Sequence, residues 1–266
     1  MEQSMAFMFR ELTMRKFELA AIAAVTCVLV GCGGGGGGST STPAPIAKAE
    51  GVYVGTLVSG GVTGAFQSVV LEDDSIWALY GVAGTGGSLL VQGFVAATGT
   101  SGNGSFSVTG KDYGYTGAVM NTTLTGTYVP GVSITGTAST GANFSGTTAA
   151  VSGYTYSTPA QIASIAGAWT GSSLFGNATS LTITSAGNYS GISGGTCAIS
   201  GTLTPRPSGK NIFNVTYSNG PTGCGIPNLT AQGIGVASTL SNGKQQLIVI
   251  LVTADKSTGT VAFVTK

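Results

Sequence analysis

The same opening motif occurs twice in this chain, and the duplication restricts the folds available to it. Residues 42–56 align without a gap on residues 158–172, which lie 116 positions further along. Both copies begin with Thr-Pro-Ala, share an Ile-Ala pair, and carry two glycines around an aromatic residue, Tyr53 or Trp169. Such agreement is hard to obtain by chance, so the sequence predicts two tandem units of similar fold.

Each unit is expected to open with one short helix that leads into a strand. Thr42 and Thr158 are suitable N-cap residues, and the prolines that follow them fit the first helical position. Gly51 and Gly167 are expected to end the two helices.

The rest of each unit is typical of short antiparallel strands. Val, Ile, Leu and Tyr alternate with Gly, Ser and Thr, and Asn-Gly pairs at residues 103, 219 and 242 indicate hairpin turns. Residues 69–77 and 181–189 each read as a strand, a tight turn and a returning aromatic residue. Four aromatic residues are therefore predicted to close the barrels: Tyr53, Trp77, Trp169 and Tyr189.

These patterns predict an all-β fold with two tandem small antiparallel barrel-like lobes, each preceded by a short helix. Closure into a barrel removes exposed strand edges, so it is preferred over a sandwich. A solenoid would repeat every 20–30 residues rather than every 116. The predicted segments are a leader at 1–31, a linker at 32–42, a first lobe at 43–157 and a second lobe at 158–266.

Composition argues against several functions. Only 7% of residues are charged, the net charge is +1, and the chain has no histidine. Nucleic-acid binding would need a basic patch, and histidine is the commonest general base and metal ligand. We therefore expect a non-enzymatic protein with no cofactor, no metal and no nucleic-acid partner.

The cysteines indicate one disulfide. Cys27 belongs to the predicted leader and Cys32 follows it, which leaves Cys197 and Cys224 to pair in an oxidising compartment. The alternative is a metal site on these two cysteines, which would lack its remaining ligands.

The N-terminal region carries the first of three family resemblances. Arg15 and Lys16 precede an apolar run that ends in Leu29-Val30-Gly31-Cys32. This pattern resembles a bacterial lipoprotein signal peptide, with Met14 as an alternative start. The resemblance implies that Cys32 becomes an acylated N-terminus anchored in a membrane. Gly33, in place of an aspartate, implies export to the outer membrane.

Six glycines follow the cysteine, at residues 33–38. A lipidated cysteine, a polyglycine stalk and barrel lobes together resemble surface lipoproteins of Gram-negative bacteria, such as the factor H-binding and transferrin-binding types. The resemblance implies lobes that bind a protein or another macromolecule. Our leading hypothesis is therefore a non-enzymatic outer-membrane lipoprotein, facing either the periplasm or the cell surface, that displays two lobes for macromolecular binding.

A third resemblance supports an alternative. Gly167-Ala168-Trp169, and more weakly Gly51-Val52-Tyr53, resemble the Gly-x-Trp opening of lipocalins. It implies a carrier of a small apolar ligand, although side chains are expected to fill barrels of eight strands. A structural envelope role is the remaining alternative. Because aromatic residues and arginine dominate interfaces, the candidate binding surface comprises Tyr113, Tyr115, Arg206, Lys210 and Tyr217.

Overall fold

Two closed antiparallel barrels, each of eight strands, make up the fold. The structure is a computed structural model that describes residues 47–84, 89–148 and 154–266. In both barrels, strands adjacent in sequence pair with each other, and the last strand closes onto the first. The predicted fold class is therefore confirmed.

The strands of the first barrel are β1 Gly51–Ser59, β2 Val62–Val70, β3 Ile76–Ala83, β4 Leu89–Gly102, β5 Ser105–Gly114, β6 Val119–Val129, β7 Ser133–Ala138 and β8 Asn143–Thr147. The second barrel follows one helix, α1 Ile162–Ile165. Its strands are β9 Gly167–Ser173, β10 Ala178–Ile183, β11 Asn188–Ser193, β12 Cys197–Pro205, β13 Phe213–Asn219, β14 Thr230–Thr239, β15 Gln245–Val252 and β16 Gly259–Thr265. The predicted boundary at 157/158 falls between β8 and α1.

The leading helices are shorter than predicted. Residues 47–50, which precede β1, form no helix, and residues 43–46 lie outside the described part of the chain. In the second unit α1 is a single turn whose N-cap is Gln161, not Thr158. Gln161 makes no side-chain capping bond, so the short helix depends on packing rather than on capping.

Two of the three predicted Asn-Gly turns are hairpins. Asn103 and Gly104 join β4 to β5 with φ of 52° and 76°, as a tight hairpin turn requires. Asn242-Gly243 lies in the turn between β14 and β15. The prediction was wrong at Asn219, where β13 ends and a longer loop, residues 220–229, begins.

Each barrel is sealed at one end by the duplicated aromatic residue. The Tyr53 hydroxyl donates to the Ala49 carbonyl at 2.8 Å, and Trp169 Nε1 donates to the Ile165 carbonyl at 2.7 Å. Both aromatic side chains are buried, and both reach back four residues along the chain. We call these sealed ends the closed ends and the opposite ends the open ends.

The interiors follow from strand alternation. One set of alternate side chains on each strand points inward and builds an apolar core in each barrel. In the first barrel, rings of Phe66, Phe106 and Phe144 fill this space, with the Phe144 centroid 5.8 Å from that of Phe66 and 6.3 Å from that of Phe106.

Trp77 corrects the predicted set of barrel-closing residues. In β3 it is Ile76 that points inward, opposite Val70, whereas Trp77 packs on the outside of the barrel. In the second barrel Tyr189 holds the equivalent inward position, opposite Ile183. The sequence comparison was thus one residue out of register, and a slip of one residue moves a side chain to the other face.

The two barrels lie side by side with their closed ends at the same end of the molecule. A buried apolar cluster joins their outer faces, and it includes Leu71 and Phe94 of the first barrel with Ile212 and Val261 of the second. At the closed ends the β2–β3 turn contacts Arg206. At the open ends Tyr113 donates a hydrogen bond to the Lys256 carbonyl at 3.1 Å.

Candidate functional site

The second barrel contains an open cavity of about 380 Å³. This volume falls within the range of small-molecule sites. Its walls are inward-facing residues from the strands of this barrel, together with residues at the open end. The lining comprises Ser173, Asn177, Thr179, Leu181, Tyr189, Ser193, Gly194, Cys197, Ile199, Leu203, Val215, Tyr217, Asn219, Gly223, Gly225, Val249, Leu251, Thr260, Ala262 and Val264.

Small inward residues leave this space open. At Gly201 a Cβ atom would lie 2.7 Å from the Tyr189 hydroxyl, so the glycine leaves room for that hydroxyl. Ala262 and Ser193 occupy other inward positions of the wall. The first barrel places three phenylalanine rings in its interior.

The cavity changes in polarity from its floor to its mouth. Leu203, Val215 and Val264 form apolar walls toward the closed end. Hydroxyl and amide side chains lie nearer the mouth, where the Thr179 and Ser193 hydroxyls are 3.3 Å apart. None of the lining residues is charged. The site therefore suits an uncharged molecule with an apolar body and a polar group at one end.

Two tyrosines in the wall remain neutral at physiological pH. The Tyr189 hydroxyl donates to the Thr216 carbonyl at 3.0 Å, and burial raises its pKa well above the ordinary value. Burial also raises the pKa of Tyr217, although a hydrogen bond with Asn219 opposes the shift. Both rings therefore contribute apolar surface and a hydroxyl, but no charge.

A disulfide-bonded loop borders the mouth. The predicted bond between Cys197 and Cys224 is confirmed, and it links the start of β12 to residues 220–229. Asn219 holds the same loop, because its Nδ2 donates to the Ile226 carbonyl at 2.9 Å and its Oδ1 accepts from the Leu229 amide at 2.7 Å. The loop therefore has a defined position beside the cavity.

The structure divides the predicted binding surface among three places. Tyr113, Arg206 and Lys210 lie in the contact between the barrels, and Tyr113 is only 2% exposed. Tyr217 lies in the cavity wall. Tyr115 is 56% exposed at the open end of the first barrel. These five residues do not form one exposed surface, because the barrels pack against each other.

Arg206 joins the barrels electrostatically at their closed ends. Its Nε donates to Glu72 Oε1 at 2.7 Å and its Nη2 to Asp73 Oδ2 at 2.6 Å. Lys210 Nζ lies 2.9 Å from Glu50 Oε1. Burial lowers the pKa of Arg206, but the hydrogen bonds with the two carboxylates outweigh burial and raise it overall.

The closing aromatic residues are thus Tyr53 and Trp169, whereas Tyr189 lines the cavity. The C-terminal Lys266 covers Trp169, with Nζ 4.8 Å from the ring centroid and a 2.7 Å hydrogen bond to the Ala166 carbonyl. This contact fixes the end of β16 against the closed end of the second barrel.

One polar pair inside the first barrel was not predicted from the sequence. Asp112 is at an inward position of β5 and accepts a hydrogen bond from the Tyr80 hydroxyl at 2.6 Å. Burial raises the pKa of Asp112, and the hydrogen bond from Tyr80 opposes that rise. Strand alternation counted from Phe106 would have placed Asp112 inside.

Comparison with known proteins gives no family assignment. No protein-family model matches the chain, and no curated protein matches it significantly. Within residues 47–84, 89–148 and 154–266, no group of three or more His, Cys, Asp or Glu side chains is arranged to hold a metal ion. In the same ranges, no helix is long and apolar enough to cross a membrane. Cys32 and the polyglycine segment lie outside these ranges.

Proposed function

We propose that this protein is a non-enzymatic lipoprotein, anchored to the outer membrane through acylated Cys32, whose second barrel binds a small apolar molecule. The observation that carries the proposal is the 380 Å³ cavity with uncharged walls in that barrel. The duplicated motif supports a shared barrel plan for the two units, because its aromatic residue makes the same hydrogen bond four residues back in each.

The chemistry of the lining limits the class of ligand. A charged group would be buried without an opposite charge, which costs several kcal/mol. An apolar molecule gains from leaving water, and a hydroxyl or carbonyl at one end can pair with Ser193, Thr179 or Asn219 at the mouth. We therefore propose an uncharged amphiphile as ligand, seated with its apolar body toward the closed end.

Display for macromolecular binding is the second candidate, in either orientation on the membrane. Tyr115 remains exposed, and other exposed apolar side chains lie at the same end of the molecule. Those side chains favour a contact made by the open end rather than by the sides of the barrels. The remaining proposed binding residues do not support this candidate.

Native mass spectrometry of the full chain, extracted from bacterial membranes, tests the ligand proposal. We expect a non-covalent adduct that disappears on denaturation, whereas acyl chains on Cys32 would remain. Ala262→Leu enlarges an inward side chain of the cavity and is expected to abolish the adduct. Ala198→Leu changes an exposed residue of β12 and is the matched control. A wild-type chain without an adduct would contradict the proposal.

A further inference from the structure

Exposed apolar side chains are concentrated at one end of the molecule. Of the eleven large apolar side chains exposed in the described residues, only Val129 and Val132 lie at the closed end of a barrel. The other nine lie on the turns and strand ends of the open ends. They are Val58, Val62, Val82, Leu90, Tyr115, Met120, Phe175, Ile192 and Ile226.

Charged residues have the opposite distribution. Of the charged residues between 47 and 266, only Lys111, Asp112, Asp255 and Lys256 lie toward the open ends, and Asp112 points inside its barrel. The other nine lie at the closed ends: Lys48, Glu50, Glu72, Asp73, Asp74, Arg206, Lys210, Lys244 and Lys266. The molecule is therefore amphipathic along the barrel axes.

The polypeptide enters the fold at the charged end. Residues 47–50 cross the closed end of the first barrel, where the Tyr128 hydroxyl donates to the Ala47 carbonyl at 2.7 Å. Ala47, the first residue that the structure describes, therefore lies at the charged end. The segment from Cys32 to Ala47 spans at most about 50 Å when extended, whereas a strand of ten residues is about 33 Å long. The open end can therefore reach the anchoring membrane or face another one.

We propose that the open end is a membrane-contacting surface whose occupant is a lipid bilayer. We call the nine exposed residues the apolar rim. They project from separate turns of two barrels, so a protein partner would need a separate pocket for each, whereas fluid acyl chains fill any gaps. The rim is poor in charge, and aromatic residues such as Tyr115 suit the interface between headgroups and acyl chains.

The position of the cavity is consistent with this contact. The mouth of the second barrel opens at the same end, beside Ile226 and Phe175. An apolar ligand would then pass between bilayer and cavity without crossing water. This last step rests on the proposed ligand function, whereas the membrane contact itself does not.

Tryptophan quenching tests the contact directly. The full chain is reconstituted into ordinary phosphatidylcholine vesicles, and acceptor vesicles of brominated phosphatidylcholine are added; a parallel sample has brominated lipid in the protein's own vesicles. Phe175→Trp places a probe on the apolar rim, and Val129→Trp places one at the closed end. The signal of Trp77 and Trp169 is subtracted with the wild-type chain. We expect the probe at 175 to lose about half of its intensity with at least one of the brominated membranes, and more than the probe at 129.

Charge substitutions provide the second arm. Val62→Glu combined with Tyr115→Glu places two carboxylates on the apolar rim, and carboxylates resist leaving water. We expect this pair to weaken membrane contact roughly tenfold, measured either as binding to the acceptor vesicles or as quenching in the protein's own vesicles. Val129→Glu combined with Val132→Glu is the matched control and is expected to leave the signal unchanged. Circular dichroism verifies that each variant remains folded.

Two results would overturn the proposal. One is a probe at residue 175 that is quenched no more than the probe at residue 129 in either brominated sample. The other is clustering of protein-bearing vesicles with each other and not with acceptors, which would identify a second copy of this chain as the occupant. If the wild-type chain shows no adduct in mass spectrometry but the probe at residue 175 is still quenched, the ligand proposal is wrong and the membrane contact is supported.

Discussion

The position of a side chain on its strand or turn determines how it contributes to stability in this protein. Asp112 and Asp73 are both acidic residues of the first barrel, but Asp112 points into its interior while Asp73 lies in the turn that faces Arg206. Burial raises the pKa of Asp112. For Asp73 burial acts in the same direction, but hydrogen bonds from Ser75 and Arg206 outweigh it and lower the pKa. The two carboxylates therefore affect stability in opposite directions as pH changes.

Asp112→Asn is expected to stabilise the protein at pH 7. Because the folded pKa of Asp112 lies above the ordinary 3.8, folding disfavours its charge, and the penalty is absent below pH 3.8. The amide oxygen can still accept from Tyr80. We expect a gain of ~0.5–1 kcal/mol at pH 7, discounted because the side chain is only partly buried, and none at pH 3. Urea unfolding at both pH values measures it, and a loss of stability at pH 7 would contradict the assignment.

Arg206→Met is expected to weaken the contact between the barrels. It removes the partner of Glu72 and Asp73, at a cost of about 1–2 kcal/mol because these carboxylates are partly exposed. The stability that the low pKa of Asp73 provides is present above pH 3.8 and disappears as the pH falls through the folded pKa, below 3.8.

Two comparisons check this prediction in urea unfolding experiments. Below pH 3.8 the stability of the wild type should fall as the pH falls, and the stability of the variant should fall less steeply. Lys111→Met is the control, because its partner Asn121 is uncharged and the pair is exposed, and we expect a change within about 0.5 kcal/mol. Equal losses at positions 206 and 111 would show that the ion pairs at the closed end contribute no specific stability.

At the scale of strands and loops, local pattern determined what could be predicted. The repeated motif placed Tyr53 and Trp169 correctly, and the pairing of two cysteines followed from their number together with the expected oxidising compartment. Trp77 was misplaced because a strand boundary uncertain by one residue reverses which face a side chain occupies. Arg206 pairs with Glu72 and Asp73, which lie 134 and 133 positions away in the sequence. No local sequence pattern predicts a contact at that separation.

The loop at residues 220–229 depends on its disulfide. Replacing both Cys197 and Cys224 with serine is expected to cost about 3–4 kcal/mol, since the bond closes a chain segment with a separation of 27 residues. Thermal unfolding with and without dithiothreitol measures the effect. The reductant should lower the melting temperature of the wild type and leave the variant unchanged. If the reductant had equal effects on both proteins, the loss could not be assigned to this bond.

At the scale of the whole molecule, the barrels are held in parallel by apolar contact along their sides. Phe94 and Tyr113 stack with ring centroids 4.5 Å apart, and Gly259 of the second barrel lies directly against them. The charged closed ends add Arg206 and Lys210 to this contact. Because the contact is both apolar and charged, it fixes the two open ends at one end of the molecule, as a shared membrane-contacting surface requires.

Gly259→Leu is expected to separate the barrels without unfolding either. A Cβ atom at this position would lie 2.7 Å from Phe94 Cζ and 3.1 Å from Tyr113 Cε1, closer than packed carbon atoms approach. It would also lie 3.0 Å from the Leu251 carbonyl oxygen of its own barrel, so the second barrel is expected to lose some stability as well. Trp77 lies in the apolar cluster between the barrels, so its fluorescence should shift to longer wavelength, whereas Trp169 stays buried at a closed end. Calorimetry should show two transitions in place of one, since the barrels no longer stabilise each other.

Gly225→Leu is the matched control, because a Cβ atom there meets nothing within 4 Å. It should keep the single transition and the fluorescence of the wild type. Trp77→Phe in the Gly259→Leu background assigns the spectral shift to Trp77. If Gly259→Leu unfolds in one transition at the wild-type temperature, the side-by-side packing tolerates the added side chain, and the two open ends are not held together by this contact. Each barrel would then contact the membrane through its own part of the apolar rim. Substitutions at Val62 and Tyr115 of the first barrel should then weaken binding to vesicles independently of substitutions at Phe175 of the second.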